Sequence, residues 1–145
     1  MRGISIKAFL AGNVLSMLLT MVSAIVIVGM GFVQMKHAGM SNQAVERIIK
    51  DSYAYGIAVT AAVSLGFVLS GYVSARLSES SLLLNAGLAS TFGMLINIHD
   101  AVTGKQNGGV LDGPILMALS WAAPLFALLG GYWRVKQLEG RCDSA

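Results

Sequence analysis

The stretch "NIHDAVTG", residues 97 to 104, holds the side chains best suited to chemistry in this chain. His99 and Asp100 are adjacent within it, Asp112 follows after a glycine-rich connection, and His37 and Glu46 stand in an earlier polar stretch. Imidazoles and carboxylates gathered on one surface could bind a divalent cation or relay protons. His99, Asp100 and Asp112 are therefore the candidate metal ligands, and a metal-dependent enzyme on that surface is the weakest of three functions considered below. Two observations weigh against it. Neighbouring residues on a helix point in different directions, and none of these groups lies deep in an apolar segment. Asp112 also has a structural use, as a cap for a helix carrying Pro114 in its first turn, where the missing N–H costs nothing. No phosphate-binding loop, dinucleotide fingerprint, HExxH or GxSxG is present. The expectation is a protein that is not an enzyme and needs no cofactor.

The elements that would carry these residues are set by where charge is missing. The 145 residues are 55% hydrophobic and 12% charged, against roughly 25% charged in an ordinary soluble domain. A soluble fold this small could not hide so much apolar surface, which points to lipid as the solvent. The net charge of +3 is small and the ten Lys and Arg are scattered, so no nucleic-acid role is expected. Cys142 is the only cysteine, which excludes an internal disulfide.

Uncharged stretches run over Ala8–Met35, Ser52–Ala75, Ser80–His99 and Gly113–Trp133, which are 28, 24, 20 and 21 residues long. A helix needs about 20 residues to cross a hydrocarbon core of roughly 30 Å. None of the four alternates with period two, and backbone in lipid must be satisfied within helices or a closed barrel. The expected fold is all-α: one integral membrane domain over residues 1–145, a bundle of four transmembrane helices near 8–33, 53–75, 80–101 and 113–134. "VSA" at 22–24 resembles a signal-peptide cleavage site, but the apolar run continues well past it, so an uncleaved first helix is preferred. Between the first two spans, Val45, Ile48 and Ile49 share one face of "NQAVERIIK", which predicts an interfacial helix over 42–50. The polar "TGKQNGG" at 103–109 should be flexible.

With four spans both termini share one side. That side receives six of the basic residues, Arg76, Arg134 and Lys136 among them, and the other side four. The positive-inside rule then places both termini in the cytoplasm of a prokaryotic inner membrane. Tyr72, Tyr132 and Trp133 precede these charges at headgroup level, as interface anchors. Arg76 is explained as the charge that fixes a cytoplasmic turn, with Ser78 available to cap the next helix. Trp121 falls mid-helix and needs an N–H partner or a place within the bundle. Pro124 is expected to bend the last helix near Trp121.

Helices in lipid associate through small side chains and interhelical hydrogen bonds. Stripes at four-residue spacing run through Gly12 and Ser16 in the first segment, Ala58, Ala62, Gly66 and Ser70 in the second, and Ala89 and Gly93 in the third. Asn13, Asn85, Ser90 and other neutral polar residues lie within the apolar segments, where hydrogen bonding between helices is their default use. No ionisable residue lies mid-segment, which counts against proton-coupled transport. "FVLSGYVSAR" and "ALLGGYWRVK" share Gly-Tyr followed by a basic residue four positions after the Tyr. That echo fits two helical hairpins in parallel repeat.

The segment "SGYVSARLSESSLLLNAGLASTFGML" resembles small bacterial four-helix membrane proteins of unknown function, in which a helix ends in a Gly-Gly-Tyr-x-Ala-Ala-Arg-like turn and a new apolar helix follows at once. It covers under a fifth of the chain, with Ser70 in place of the first glycine and Ser74 in place of an alanine. The resemblance implies architecture only. The function expected first is structural or accessory, through packing against a second copy or a membrane-protein partner within the lipid bilayer. A small oligomeric channel or transporter stands second.

Overall fold

The computed structural model describes residues 3–103 and 113–142, and every regular element among them is an α-helix. They are α1 (Ile6–His37), α2 (Asn42–Asp51), α3 (Tyr53–Leu77), α4 (Leu82–Leu88), α5 (Thr91–Thr103) and α6 (Gly113–Cys142). The connection 104–112, with Asp112 and the loop expected to be flexible, lies outside the described residues.

Local chemistry sets most of the ends. Ser5 caps α1 by accepting from the Ala8 N–H at 3.3 Å. At its far end Gly39 adopts φ +81°, and the Gly39 and Met40 N–H groups bond back to the Lys36 and Met35 carbonyls. That left-handed closure favours glycine. Ser41 caps α2, and the single extended residue Ser52 separates α2 from α3. α2 packs on α1 through Val45, which is fully buried, while Ile48 stays exposed.

α1 and α3 are long and apolar enough to cross a membrane. At 1.5 Å per residue they measure about 48 and 38 Å. α1, α3, the α4–α5 segment and α6 alternate in direction. Ser5 and Ala8 at the start of α1 meet Asn85 and Ser74; Gly31 near the end of α1 meets Tyr55 at the start of α3; and the ends of α3 and α6 meet at Tyr72 and Gln137. α3 packs most extensively on α6 and on α1.

The α3–α6 contact is backbone on backbone. A Cβ on Gly71 would fall on the Ala127 carbonyl, and one on Gly130 on the Val68 carbonyl. Only glycine fits at these two positions. Gly12 does the same for α1, since a Cβ there would sit 2.5 Å from the Ala89 Cβ.

Four sequence expectations are corrected. The continuous helix expected over 80–101 is two helices, interrupted at Ala89 and Ser90. Ser78 does not cap the helix after the turn: α4 begins after Ser81, which holds φ 53°, and the Ser78 hydroxyl bonds to the Ser80 carbonyl instead. Trp121 is 64% exposed on the outer face of α6, not placed inside the bundle. α6 runs through Pro124 and continues eight residues past the expected end at 134. The first charge ends an apolar run, but charged residues such as Lys136 and Glu139 are good helix formers and carry the helix on.

Candidate functional site

Small and polar residues fill the space between the helices. Asn13, Ser16, Ser70, Ser74, Asn85 and Ser90 are at most 1% exposed, and among the described residues the buried apolar ones are alanines apart from Val45 and Phe67. Large aliphatic side chains point the other way, with Ile25, Ile57, Leu65 and Leu125 all well exposed. The apolar windows of α1 and α3 are only 11% and 22% buried.

Two asparagines organise this interior. The Asn85 amide N–H groups donate to the Ser78 hydroxyl at 2.7 Å and to the Ser80 and Ser81 carbonyls at 3.0 and 3.1 Å. Its carbonyl oxygen accepts from the Ser5 N–H at 2.9 Å. The Ser74 hydroxyl lies 3.0 Å from the Ala8 carbonyl and 2.9 Å from that of Asn85. The start of α1, the end of α3 and the start of α4 are thereby tied together. Ser81 in the left-handed region costs on the order of 1 kcal/mol, and the Asn85 bonds to this turn offset it.

Asn13, on α1, serves the interruption between α4 and α5. Its amide nitrogen donates to the Leu88 carbonyl at 2.8 Å, and its oxygen accepts from the Phe92 N–H at 2.8 Å. One side chain thus satisfies a carbonyl that α4 leaves over and an N–H that α5 leaves over, the groups every helix end orphans. The Thr91 hydroxyl adds a second bond to Leu88. The Phe9 and Phe92 rings meet edge to face at 5.4 Å beside it.

A different arrangement closes the end where α3 and α6 meet. The Tyr72 hydroxyl donates to the Gln137 amide oxygen at 2.8 Å, and its ring lies edge-on to Trp133 at 6.3 Å. Tyr72, Arg76, Arg134 and Gln137 line an open cleft of about 450 Å³. The Arg134 Nε is buried and has no hydrogen-bond partner among the described residues. Lys136 is engaged elsewhere. It pairs with Glu139 at 3.0 Å and sits 5.8 Å over the Tyr132 ring. The hydrogen bond and charge of Glu139 hold the Lys136 ammonium above its ordinary pKa.

The residues singled out in the sequence divide as follows. His99 is exposed, the Asp100 side chain and Asp112 lie outside what is described, and among the described residues no group of three or more His, Cys, Asp or Glu could hold a metal ion. Gly12, Ser16, Gly66, Ser70 and Ala89 are buried between helices, and Ala62 and Gly93 are partly covered. Ala58 is exposed. Of the interface residues, Tyr72 and Arg134 are half-buried, while Arg76, Tyr132, Trp133 and Lys136 are exposed.

Sequence reasoning missed Gly71, Gly130 and Gln137. The glycines ahead of tyrosine in the two echoed segments, Gly71 before Tyr72 and Gly130–Gly131 before Tyr132, were the available signal for the first two. Nothing in the sequence singles out Gln137. No family model matches this chain, and no curated protein or solved structure matches it.

Proposed function

We propose that this chain is a multi-pass membrane protein whose four segments, α1, α3, α4–α5 and α6, cross the bilayer, and that its role is structural or accessory: a packing unit that joins a second copy or a membrane-protein partner. It performs no catalysis in this reading. The observation that carries it is the reversed distribution of side chains, with Ala, Gly, Ser and Asn inside and Ile, Leu and Val outside. Water would penalise that arrangement, since exposed aliphatic area costs roughly 25 cal/mol per Å². Lipid does not, and there close backbone approach and buried hydrogen bonds are what hold helices together.

A soluble protein's core helices would also be apolar, but they would be mostly buried. α1 and α3 are mostly uncovered. The alternation of the four segments brings the start of α1 and the end of α6 to one end, where Lys7, Arg76, Arg134 and Lys136 collect. The excess of basic residues supports that end as the cytoplasmic face of a prokaryotic inner membrane. Ala54 and Ala58, exposed on the first half of α3, extend its small-residue stripe outward and offer a partner helix a close approach. A pore within one chain gains no support, because the α3–α6 crossing is closed by backbone contact.

The test is fractionation with topology mapping. The full chain is expected to stay in the membrane pellet after alkaline carbonate washing, with reporters fused at either end both active in the cytoplasm. Release into the supernatant, or reporters reading opposite compartments, would overturn the proposal. Cross-linking through cysteines placed at Ala54 and Ala58 is expected to capture a second chain.

A further inference from the structure

We infer that the cleft between the ends of α3 and α6 is an anion site that takes a phosphate group, with Arg76 and Arg134 as its ligands. The ligand chemistry is a phosphate ester or phosphate itself, and the two sources are an anionic lipid headgroup and a free phosphate. The lipid source rests on the membrane reading above. The free source does not.

Four observations converge. First, two guanidinium groups from different helices line one open cleft of about 450 Å³, and none of its described lining residues is acidic. Second, the Arg134 Nε is buried without an acceptor among the described residues. Buried donors are nearly always satisfied, and an exception asks for a group that completes it. Third, among the described residues neither arginine is in an ion pair within 4.0 Å: Glu79 follows Arg76 by three residues without such a contact, and Glu139 on α6 is held by Lys136. Fourth, Gln137 gives its oxygen to the Tyr72 hydroxyl, which leaves its amide N–H groups as further donors at the cleft. The Trp133 ring against Tyr72 helps to fix that pair.

Planar guanidinium forks suit tetrahedral oxyanions, which they bind through paired N–H···O bonds. The polar cleft on α2 is unlike this one. Its lining mixes Arg47 with Glu46 and Asp51, so its charges compensate one another. One term opposes an anion at the basic cleft, since the C-terminal end of α3 presents the negative end of its dipole there. Two full positive charges outweigh that partial one. The level of the cleft also fits a headgroup. It lies beyond the apolar run of α3, one turn past Tyr72, where an aromatic ring marks a bilayer interface in this reading.

The experiment uses the purified full chain in mild detergent. Native mass spectrometry counts phosphatidylglycerol retained against phosphatidylcholine, and a melting assay in lipid-free detergent records the effect of inorganic phosphate. Selective retention of phosphatidylglycerol, weakened about tenfold or more in R76Q and in R134Q through loss of a charge-assisted pair but unchanged in K136Q, supports the site with a lipid as source. A phosphate-dependent rise in Tm, absent from both arginine variants, supports it with free phosphate as source. R134K keeps the charge and lacks the fork, so binding between that of the parent and R134Q is expected, and unchanged helicity by circular dichroism shows that the fold survives.

Binding that is absent in both arms, unchanged by R76Q and R134Q, or equally weakened by K136Q would overturn the inference. The two proposals fail separately. A chain released by carbonate that still binds phosphate through both arginines sinks the membrane reading and leaves the site standing. A chain that stays in the pellet without arginine-dependent binding does the reverse.

Discussion

Replacing Asn13 by alanine removes the one side chain that serves both sides of the break between α4 and α5. Its bonds to the Leu88 carbonyl and the Phe92 N–H, each 2.8 Å long, come from a side chain with no exposed surface. Its third bond, to the Phe9 carbonyl, stays within α1 and is dispensable, because that carbonyl keeps its helical partner. The Phe92 N–H is left orphaned, at about 1–3 kcal/mol if nothing replaces the lost bond, and the Leu88 carbonyl loses one of its two side-chain partners, a net hydrogen bond of about 0.5–1.5 kcal/mol. The lower bound comes from hydrogen bonds measured in membranes, about 0.6 kcal/mol each, where the unfolded chain also finds partners. Thr91 retains one bond to Leu88, so the expected loss is about 2–4 kcal/mol, between those limits.

Ser16 provides the control. It is as buried as Asn13, but its hydroxyl bonds only within its own helix, to the Asn13 carbonyl. Ser16→Ala orphans nothing and should stay within about 0.5 kcal/mol of the parent. Asn13→Asp keeps the acceptor for Phe92 but sets a carboxylate against the Leu88 carbonyl. It should therefore destabilise at least as much as Asn13→Ala at neutral pH. Reversible unfolding in mixed micelles with increasing dodecyl sulfate, followed by circular dichroism, measures all three. Asn13→Ala within about 0.5 kcal/mol of the parent, or Ser16→Ala costing as much as Asn13→Ala, would refute the bridging role.

Gly71→Ala and Gly130→Ala should each destabilise by about 1–3 kcal/mol or more, since the added methyl meets a carbonyl of the facing helix and the backbones must part. Gly29→Ala should be neutral or slightly stabilising in the same assay, because its Cβ direction is open and alanine is the better helix former. Lys136 is exposed and its pKa is raised by Glu139; the pair's small contribution is present below the unfolded lysine pKa and lost as pH rises through the folded value. Melting curves should therefore show Lys136→Met indistinguishable from the parent above that alkaline value. Chelator treatment should leave Tm unchanged in both the parent and His99→Ala; a drop in the parent that His99→Ala abolishes would point to a bound metal at that surface.

The parts legible in the sequence were those that depend on local order. An uncharged run has its length whatever it packs against, so the long helices α1 and α3 followed from the absence of charge between Lys7 and Lys36 and between Asp51 and Arg76. The shared face of Val45, Ile48 and Ile49 likewise placed α2, because helical period is written along the chain. Tertiary structure alone decided the rest. Nothing at Ala89–Ser90 breaks a helix by propensity. The interruption depends on Asn13, 75 residues away, which offers the loose backbone groups an alternative partner. The glycines that matter most, Gly71 and Gly130, do so because their helices cross there, and a crossing is a relation between two segments that neither one encodes alone. Arg76 had a sufficient local explanation as the charge at a turn, and only the meeting of α3 with α6 sets it across a cleft from Arg134. Charge spacing acts along the chain, whereas hydrogen bonds and close contacts act through space, and one sequence read by itself reports the first kind far better than the second.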